Sequence, residues 1–378
     1  NWAAEIEKSL PGRPNVQGLF GSDHREPLTG DIIIINYDIL CNQYEPFKDS
    51  IGRKRFREKK WTGWVDYLIK LGPTVVIIDE AHYIKHNSAF RTKSTKKLAR
   101  KASHVLTLTG TPIPDRPIDG FNILQITNRE AFPDFWDYAN RYCDAKPNGF
   151  GWDFKGAINK EDLHRKLTER LMIRRLKRDH LKDLPDKIYS FIPFELSNRA
   201  EYEAAERDFM KFLRATRGAS VATKAKRAQH LVKIETLKQL AVKGKMRQAI
   251  QWIRDVLDEN EKLVVFAIHK AVVSALMAEF GKIAVKFVGG MSDKAKAEAV
   301  KAFQEDKSIK LFVGNIEAAG TGITLTAASS VALLELPWTS DDLKQPEDRL
   351  HRIGQTETVN VYYLLAYETI EEKIATIL

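Results

Sequence analysis

The sequence predicts an α/β protein: two lobes with parallel sheets, plus helical insertions. Three observations lead there. The chain has 378 residues, too many for one ordinary core and enough for two. Short β-branched, apolar runs followed at once by polar residues recur in two groups, one ending near Leu108 and one starting near Lys262. Between the groups the composition shifts to Arg, Lys, aromatic and helix-forming residues. Continuous apolar runs of this length suit parallel strands covered on both faces. Polar residues directly after them lie at strand carboxyl ends, where open α/β sheets bind ligands.

The chain opens with Asn1-Trp2-Ala3-Ala4-Glu5, which reads as a helix entered part-way. With no initiator Met, the chain is expected to begin inside a domain. Ile32 to Ile35 is a buried-strand run followed by Asn36-Tyr37-Asp38, and Val75 to Ile78 is a second, followed by Asp79-Glu80. Val105 to Leu108 is a third and ends in Thr109-Gly110-Thr111-Pro112. These assign residues 1–116 to a first lobe. Residues 117–245 are expected to be helical insertions and an interlobe linker, with a basic helical pair over 201–245. Residues 246–367 form a second lobe, with strands at Leu263–Ala267, Ile283–Val288, Leu311–Val313 and Val331–Leu334. A helix from Ser292 to Gln304 takes Ser292 as its cap, since a serine oxygen can accept from the free amides of the first turn. Residues 368–378 close the chain as a brace helix.

Composition narrows the partners. No apolar run approaches the roughly 18 residues of a membrane span, and no signal segment opens the chain. The expectation is an intracellular protein without a membrane partner, in the cytoplasm or nucleoid of a prokaryote or virus, or in a eukaryotic nucleus. A net charge of +10 suggests a polyanion, nucleic acid before membrane, with a generally lysine-rich surface as the alternative. Cys41 and Cys143 have no metal-ligand spacing around them, which disfavours a disulfide framework and a structural zinc.

Asp79-Glu80-Ala81-His82 carries the strongest local chemistry. A carboxylate at a strand tip, Asp79, can hold Mg²⁺ through water, and Glu80 beside it can orient and deprotonate an attacking water. The alternative is an acidic helix N-terminus. Thr109-Gly110-Thr111-Pro112 is weak alone but lies one strand further on, where it can link a nucleotide site to a nucleic-acid path. In Gln345-Pro346-Glu347-Asp348-Arg349-Leu350-His351-Arg352-Ile353-Gly354-Gln355 the two arginines are three apart, on one helical face. Their guanidinium groups suit developing phosphoryl charge, with a solvated Arg-rich helix as the bland reading. Glycines in Ala319-Gly320-Thr321-Gly322 permit close approach to a phosphate chain, although a plain turn is the default.

The motif order Asp-Glu-Ala-His, Thr-Gly-Thr-Pro, His-Arg-Ile-Gly-Gln resembles superfamily 2 helicase motors of the SNF2 family. Arg174-Arg175-Leu176-Lys177-Arg178-Asp179, then Leu184-Pro185 and Lys187, looks like the SNF2 signature between the lobes. Arg141-Tyr142-Cys143-Asp144-Ala145-Lys146, Gly151-Trp152-Asp153 and Ala318 to Ser329 resemble the annealing-helicase branch. The resemblance implies RecA-like lobes, ATP and Mg²⁺ as cofactors, and double-stranded or forked DNA bound mainly through phosphates by a monomeric motor. It implies translocation, branch migration or strand annealing as the output. It makes Asp79 the Mg²⁺-associated acid, Glu80 the base, and Arg349 and Arg352 arginine fingers. Gln345 and Gly322 would face the nucleotide. Asn36, Tyr37, Thr111, Gly320, Thr321 and Trp338 would face DNA, with a core tryptophan at the rim as the other reading of Trp338. Trp2 and Glu5 match the helix of an early motif.

Two departures stand out. Lys296 replaces an arginine common in relatives. No Gly-x-x-x-x-Gly-Lys-Ser/Thr loop is present, and neither Gly244-Lys245-Met246 nor Gly281-Lys282-Ile283 qualifies. A truncation or a split gene accounts for this. It leaves a non-hydrolysing DNA-binding scaffold, or an inactive fragment, as the main alternative. Nucleosome remodelling is disfavoured because nothing resembles a histone-reading module, and RNA unwinding because of Thr109 to Pro112 and Gln355.

Overall fold

The computed structural model describes residues 2–21, 27–49, 53–113, 116–149, 151–207, 229–259, 262–319 and 322–378. The chain divides into two compact units, Asn1–Arg175 and Leu176–Leu378. The stretch 117–245, read from sequence as helical insertions and linker, contributes to both. It also holds a strand, Lys187–Phe194, whose Ile188, Tyr189, Phe191 and Ile192 favour extended backbone.

In the first unit the apolar runs form two short parallel ladders, Val16–Gly18 with Ile32–Ile34 and Val75–Ile78 with His104–Thr107. Val76, Ile78 and Val105 pack with Ala81, Ile84 and Ile123. Val75, Ile77 and Leu106 are exposed among the described residues. The two-sided burial expected of Val75–Ile78 is therefore not observed. Alternate side chains of a strand point to opposite faces, and the helix Pro117–Thr127, through Ile123, covers only one of them. Beyond it lies an aromatic subcore around Phe121, Phe132, Tyr138 and Tyr142. The Tyr138 hydroxyl donates to the Pro117 carbonyl at 2.6 Å, and that of Tyr142 to Asp162 at 2.9 Å.

The second unit is built on a six-stranded, wholly parallel sheet. Its order is Ala284–Phe287, Leu311–Asn315, Leu263–Ala267, Ser330–Leu333, Val359–Ala366, Lys187–Phe194. Val264, Phe266, Phe312, Val331 and Leu333 turn to one face, and Leu263, Val265, Val313, Ala332 and Leu364 to the other, all buried. Here the two-sided burial expected from sequence holds. Gly314 lies inside a strand because a Cβ there would come within 2.6 Å of the Phe266 ring. Ser292 caps the helix Asp293–Glu305, accepting from the Ala295 amide at 3.2 Å. The connection from Leu263–Ala267 runs toward one edge of the sheet and that from its neighbour Ser330–Leu333 toward the other, so a topological switch point lies between their carboxyl ends.

Two ionic staples fasten the 30-residue helix Gln229–Asp258 to this sheet. Lys245, fully buried, donates to the Leu364 carbonyl and to the Glu371 carboxylate, both at 2.5 Å. Burial pushes the Glu371 carboxyl up, and the Lys245 ammonium opposes it. The Gly244-Lys245 pair thus has a structural role. At the switch point His269 bridges two carboxylates, donating from Nδ1 to Glu335 and from Nε2 to Glu235, the latter at 2.7 Å. Glu335 also accepts from the Ile268 and His269 amides at 2.7 and 2.8 Å. Hydrogen bonding to Glu335, helped by Glu235 and opposed by burial, pushes His269 up to about 9.

Glu371→Ala strands a buried ammonium and is expected to cost about 3–5 kcal/mol in urea unfolding. The Lys245→Met, Glu371→Leu pair should recover most of that, and an unchanged midpoint for the single variant would refute the staple. For His269, raised in the folded state, the charge-linked stability is full below the unfolded value of about 6.5 and lost as pH rises through about 9. The difference in melting temperature between wild type and His269→Gln is therefore expected to shrink from about pH 6.5 to about pH 9. A pH-independent difference would contradict the bridge.

Candidate active site

Asp79 and Glu80 occupy the corner where the strand Val75–Ile78 ends. The Leu108 amide donates to the Ile78 carbonyl at 2.8 Å and the Ala81 amide to the Leu108 carbonyl at 2.9 Å, stitching the corner to the neighbouring strand's exit. Glu80 takes φ 46°, ψ 50°, the left-handed region. A side chain other than glycine costs on the order of 1–3 kcal/mol there, so the surrounding bonds must hold it. They are numerous. Asp79 Oδ1 accepts from the Glu80 amide at 2.9 Å and Oδ2 from the Trp2 indole at 2.8 Å. The Asp79 carbonyl accepts from the Tyr37 hydroxyl at 2.6 Å. Burial, then the charges of Asp79 and Glu80, raise the Tyr37 pKa and keep that hydroxyl a donor.

The corner continues toward Thr109-Gly110-Thr111-Pro112. His82 Nδ1 lies 3.3 Å from Glu80 Oε2 and 3.4 Å from Thr109 Oγ1, and Thr109 Oγ1 accepts from the Thr111 amide at 3.1 Å. Asn36 caps the short helix Tyr37–Leu40, accepting from the Asp38 amide at 2.9 Å. The structure thus brings Asp79, Glu80, Tyr37 and Thr111 into one bonded chain, with Asn36 beside Tyr37.

Among the described residues each Asp79 oxygen accepts one hydrogen bond, which leaves lone-pair capacity, and the residue is exposed. That fits a hydrated Mg²⁺ completed by phosphate oxygens rather than an all-protein cage. Among the described residues no cluster of three or more His, Cys, Asp or Glu converges as a metal site.

In the second unit, Gln345 lies half-buried on the helix Ser340–Glu347. Arg349 and Arg352 follow it in successive turns, not on one helical face as the spacing suggested. The helix stops where Glu347 is drawn into the sheet: it accepts from Lys187 at 2.8 Å, Tyr189 at 3.1 Å and Tyr363 at 2.8 Å. Asp348 pairs with Lys177 at 2.8 Å and Lys187 at 3.0 Å. Burial pulls Lys187 down, but Glu347 and Asp348 outweigh it and hold it above its usual value. Lys177 also donates to the His351 carbonyl at 2.9 Å, and His351 Nε2 to the Pro185 carbonyl at 2.7 Å. Burial lowers His351, and its bond to the Pro185 carbonyl opposes that.

The arginine turn is fastened in turn to the glycine loop. The Arg349 carbonyl accepts from the Leu325 amide at 2.9 Å, and Arg352 Nη1 donates to the Ile323 carbonyl at 2.9 Å. A Cβ at Gly322 would meet nothing within 4 Å, so the backbone there is open to a ligand. Gly320 and Thr321 lie outside the described residues. Gln355 is structural: it donates to the Ala328 carbonyl at 2.9 Å and accepts from the amides of Thr356 and Glu357. Trp338 is exposed, with the Lys238 ammonium 4.5 Å from its ring centroid.

The sequence reading named Lys177 and Lys187 only as parts of a signature. It missed Glu347, Asp348, Lys238, His269 and Glu335 as supports, since nothing local in the sequence says which charges meet.

Comparisons with known proteins show the family. A model of the SNF2-related domain matches residues 1–246, and one of the helicase conserved C-terminal domain matches residues 244–354. The human "DNA annealing helicase and endonuclease ZRANB3" is 31% identical over 98% of the chain and 33% of that protein. The Xenopus tropicalis "SWI/SNF-related matrix-associated actin-dependent regulator of chromatin subfamily A-like protein 1" is 31% identical over 98% of the chain and 37% of its own length. The chain spans about a third of the length of these relatives. The "Sulfolobus solfataricus SWI2/SNF2 ATPase core in complex with dsDNA" is 25% identical over 100% of the chain and 76% of that structure, with a TM-score of 0.41. Among the described residues no helix is long and apolar enough to cross a membrane. With its Asp-Glu-Ala-His corner, clamped arginine turn and family match over residues 1–246, the chain belongs to the SNF2-related family of helicase-like proteins.

Proposed function

We propose that the protein is a DNA-dependent ATPase that couples hydrolysis to movement along double-stranded or forked DNA. Its output is remodelling, branch migration or strand annealing, where the cell keeps its DNA. The observation that carries this reading is the strained corner at Glu80. A carboxylate held at a strand tip beside Asp79 is linked through His82 to Thr109 and Thr111. Glu80 takes the proton of the attacking water. Asp79 would hold a hydrated Mg²⁺, which when bound would supply charge neutralisation at the phosphates. Arg349 and Arg352 stabilise the phosphoryl charge, and Gln345 and Gly322 line the nucleotide. Asn36, Tyr37, Thr111, Gly320, Thr321 and Trp338 contact DNA, largely at phosphates. Movement of water or nucleotide at Glu80 reaches the DNA-contacting loop by way of His82.

Turnover is to be measured for this chain, with and without forked duplex, beside a longer form carrying an upstream phosphate loop. The longer form is expected to hydrolyse ATP with DNA stimulation. Glu80→Gln should lower its kcat by about 10²–10⁴-fold and leave DNA affinity intact. If neither form hydrolyses ATP while both bind DNA, the motor reading fails and the scaffold reading replaces it. Binding should also fall linearly on a log–log plot against salt, with a slope indifferent to sequence. A salt-insensitive affinity would overturn the phosphate-contact assignment.

A further inference from the structure

At the switch point of the second unit's sheet, a buried ammonium lies under an exposed indole. Lys238, on the helix Gln229–Asp258, is 2% exposed, while Trp338, five residues beyond Leu333, is 52% exposed. Lys238 Nζ donates to the Leu336 carbonyl at 2.9 Å and lies 4.5 Å from the Trp338 ring centroid. It makes no ion pair among the described residues. The neighbouring carboxylates Glu235 and Glu335 are both engaged by His269. Burial lowers the Lys238 pKa, and Glu235 and Glu335 oppose that from a distance.

A desolvated ammonium without a bonded counterion is costly, and an indole face offsets part of that cost, since cation–π attraction strengthens out of water. The attraction is mutual. It holds the Trp338 indole over the Lys238 ammonium, while about half of the residue stays exposed. The His269 bridge matters here because it fixes Glu235, three residues before Lys238 on the same helix, to Glu335, three residues before Trp338. The two partners are thus set by one bonded frame.

We propose that Lys238 is a positioning residue that fixes the Trp338 indole for its contact with DNA. The inference rests on the reading of Trp338 as a DNA contact. A plain structural lysine, serving only the Leu336 carbonyl, predicts that the hydrogen bond matters and the charge does not.

The test compares Lys238→Met, Lys238→Gln, Trp338→Ala and the double variants in duplex-DNA binding by fluorescence anisotropy. Acrylamide quenching of Trp338 emission is read alongside, as the difference between each protein and its Trp338→Phe counterpart. Lys238→Met and Lys238→Gln are each expected to weaken binding about fivefold, with no further loss in the Trp338→Ala background, and to increase quenching of Trp338. Glutamine keeps a donor for the Leu336 carbonyl and serves if the methionine variant fails to fold. Wild-type affinity in Lys238→Gln, losses that multiply with Trp338→Ala, or unchanged quenching would each overturn the proposal. If Trp338→Ala leaves DNA affinity unchanged while Lys238→Gln still alters quenching, the DNA reading of Trp338 is what has failed, and the inference falls with it.

Discussion

In the sheet of the second unit, every side chain of Leu263–Ala267 is buried, so polar groups reach that strand only where it ends. Parallel strands share one carboxyl edge, and covering both faces leaves that edge as the place for chemistry. Ile268 and His269 follow the central strand, Asn315 ends the next, and Glu335 follows the third. The Asn315 side chain donates to the Ile268 carbonyl at 2.5 Å, tying two of these strand ends together. The arginine turn, the glycine loop and Trp338 are all placed by segments leaving this edge.

Charges in the interior do the remaining placement. Lys238, Lys245, Glu335, Glu347 and Glu371 are all buried. Buried ions are a weak source of net stability because desolvation consumes much of the Coulomb gain. Their value is geometric. An apolar contact tolerates sliding, whereas an ammonium with two fixed acceptors, such as Lys245 between Leu364 and Glu371, tolerates little. The Lys187, Glu347 and Tyr363 group does the same for the arginine turn, and it ends the helix before Arg349.

At its Asp-Glu-Ala-His corner the first unit uses backbone strain. Glu80 is held in left-handed backbone by bonds from Ala81 and Tyr37 and into Asp79, and that sets where its carboxylate emerges. A relaxed, extended Glu80 would point elsewhere. Family membership and this corner support each other: the motif gives the residue types, and the backbone gives their direction.

Read alone, the sequence determined the α/β class, the strands at Val75–Ile78, Leu263–Ala267 and Leu311 onward, the Ser292 cap and the family. These depend on local periodicity and on short motifs, which are written in consecutive residues. The described Asp79, Glu80, Arg349 and Arg352 were likewise legible as residue types. Tertiary structure alone decided that Lys187–Phe194 joins the sheet as an edge strand, that Val75 and Ile77 face outward, and that the arginines lie in turns. It alone brought Lys238 under Trp338 and His269 between Glu235 and Glu335. Those facts depend on which residues distant in sequence become neighbours, and a half-buried ion pair leaves no periodic trace along the chain.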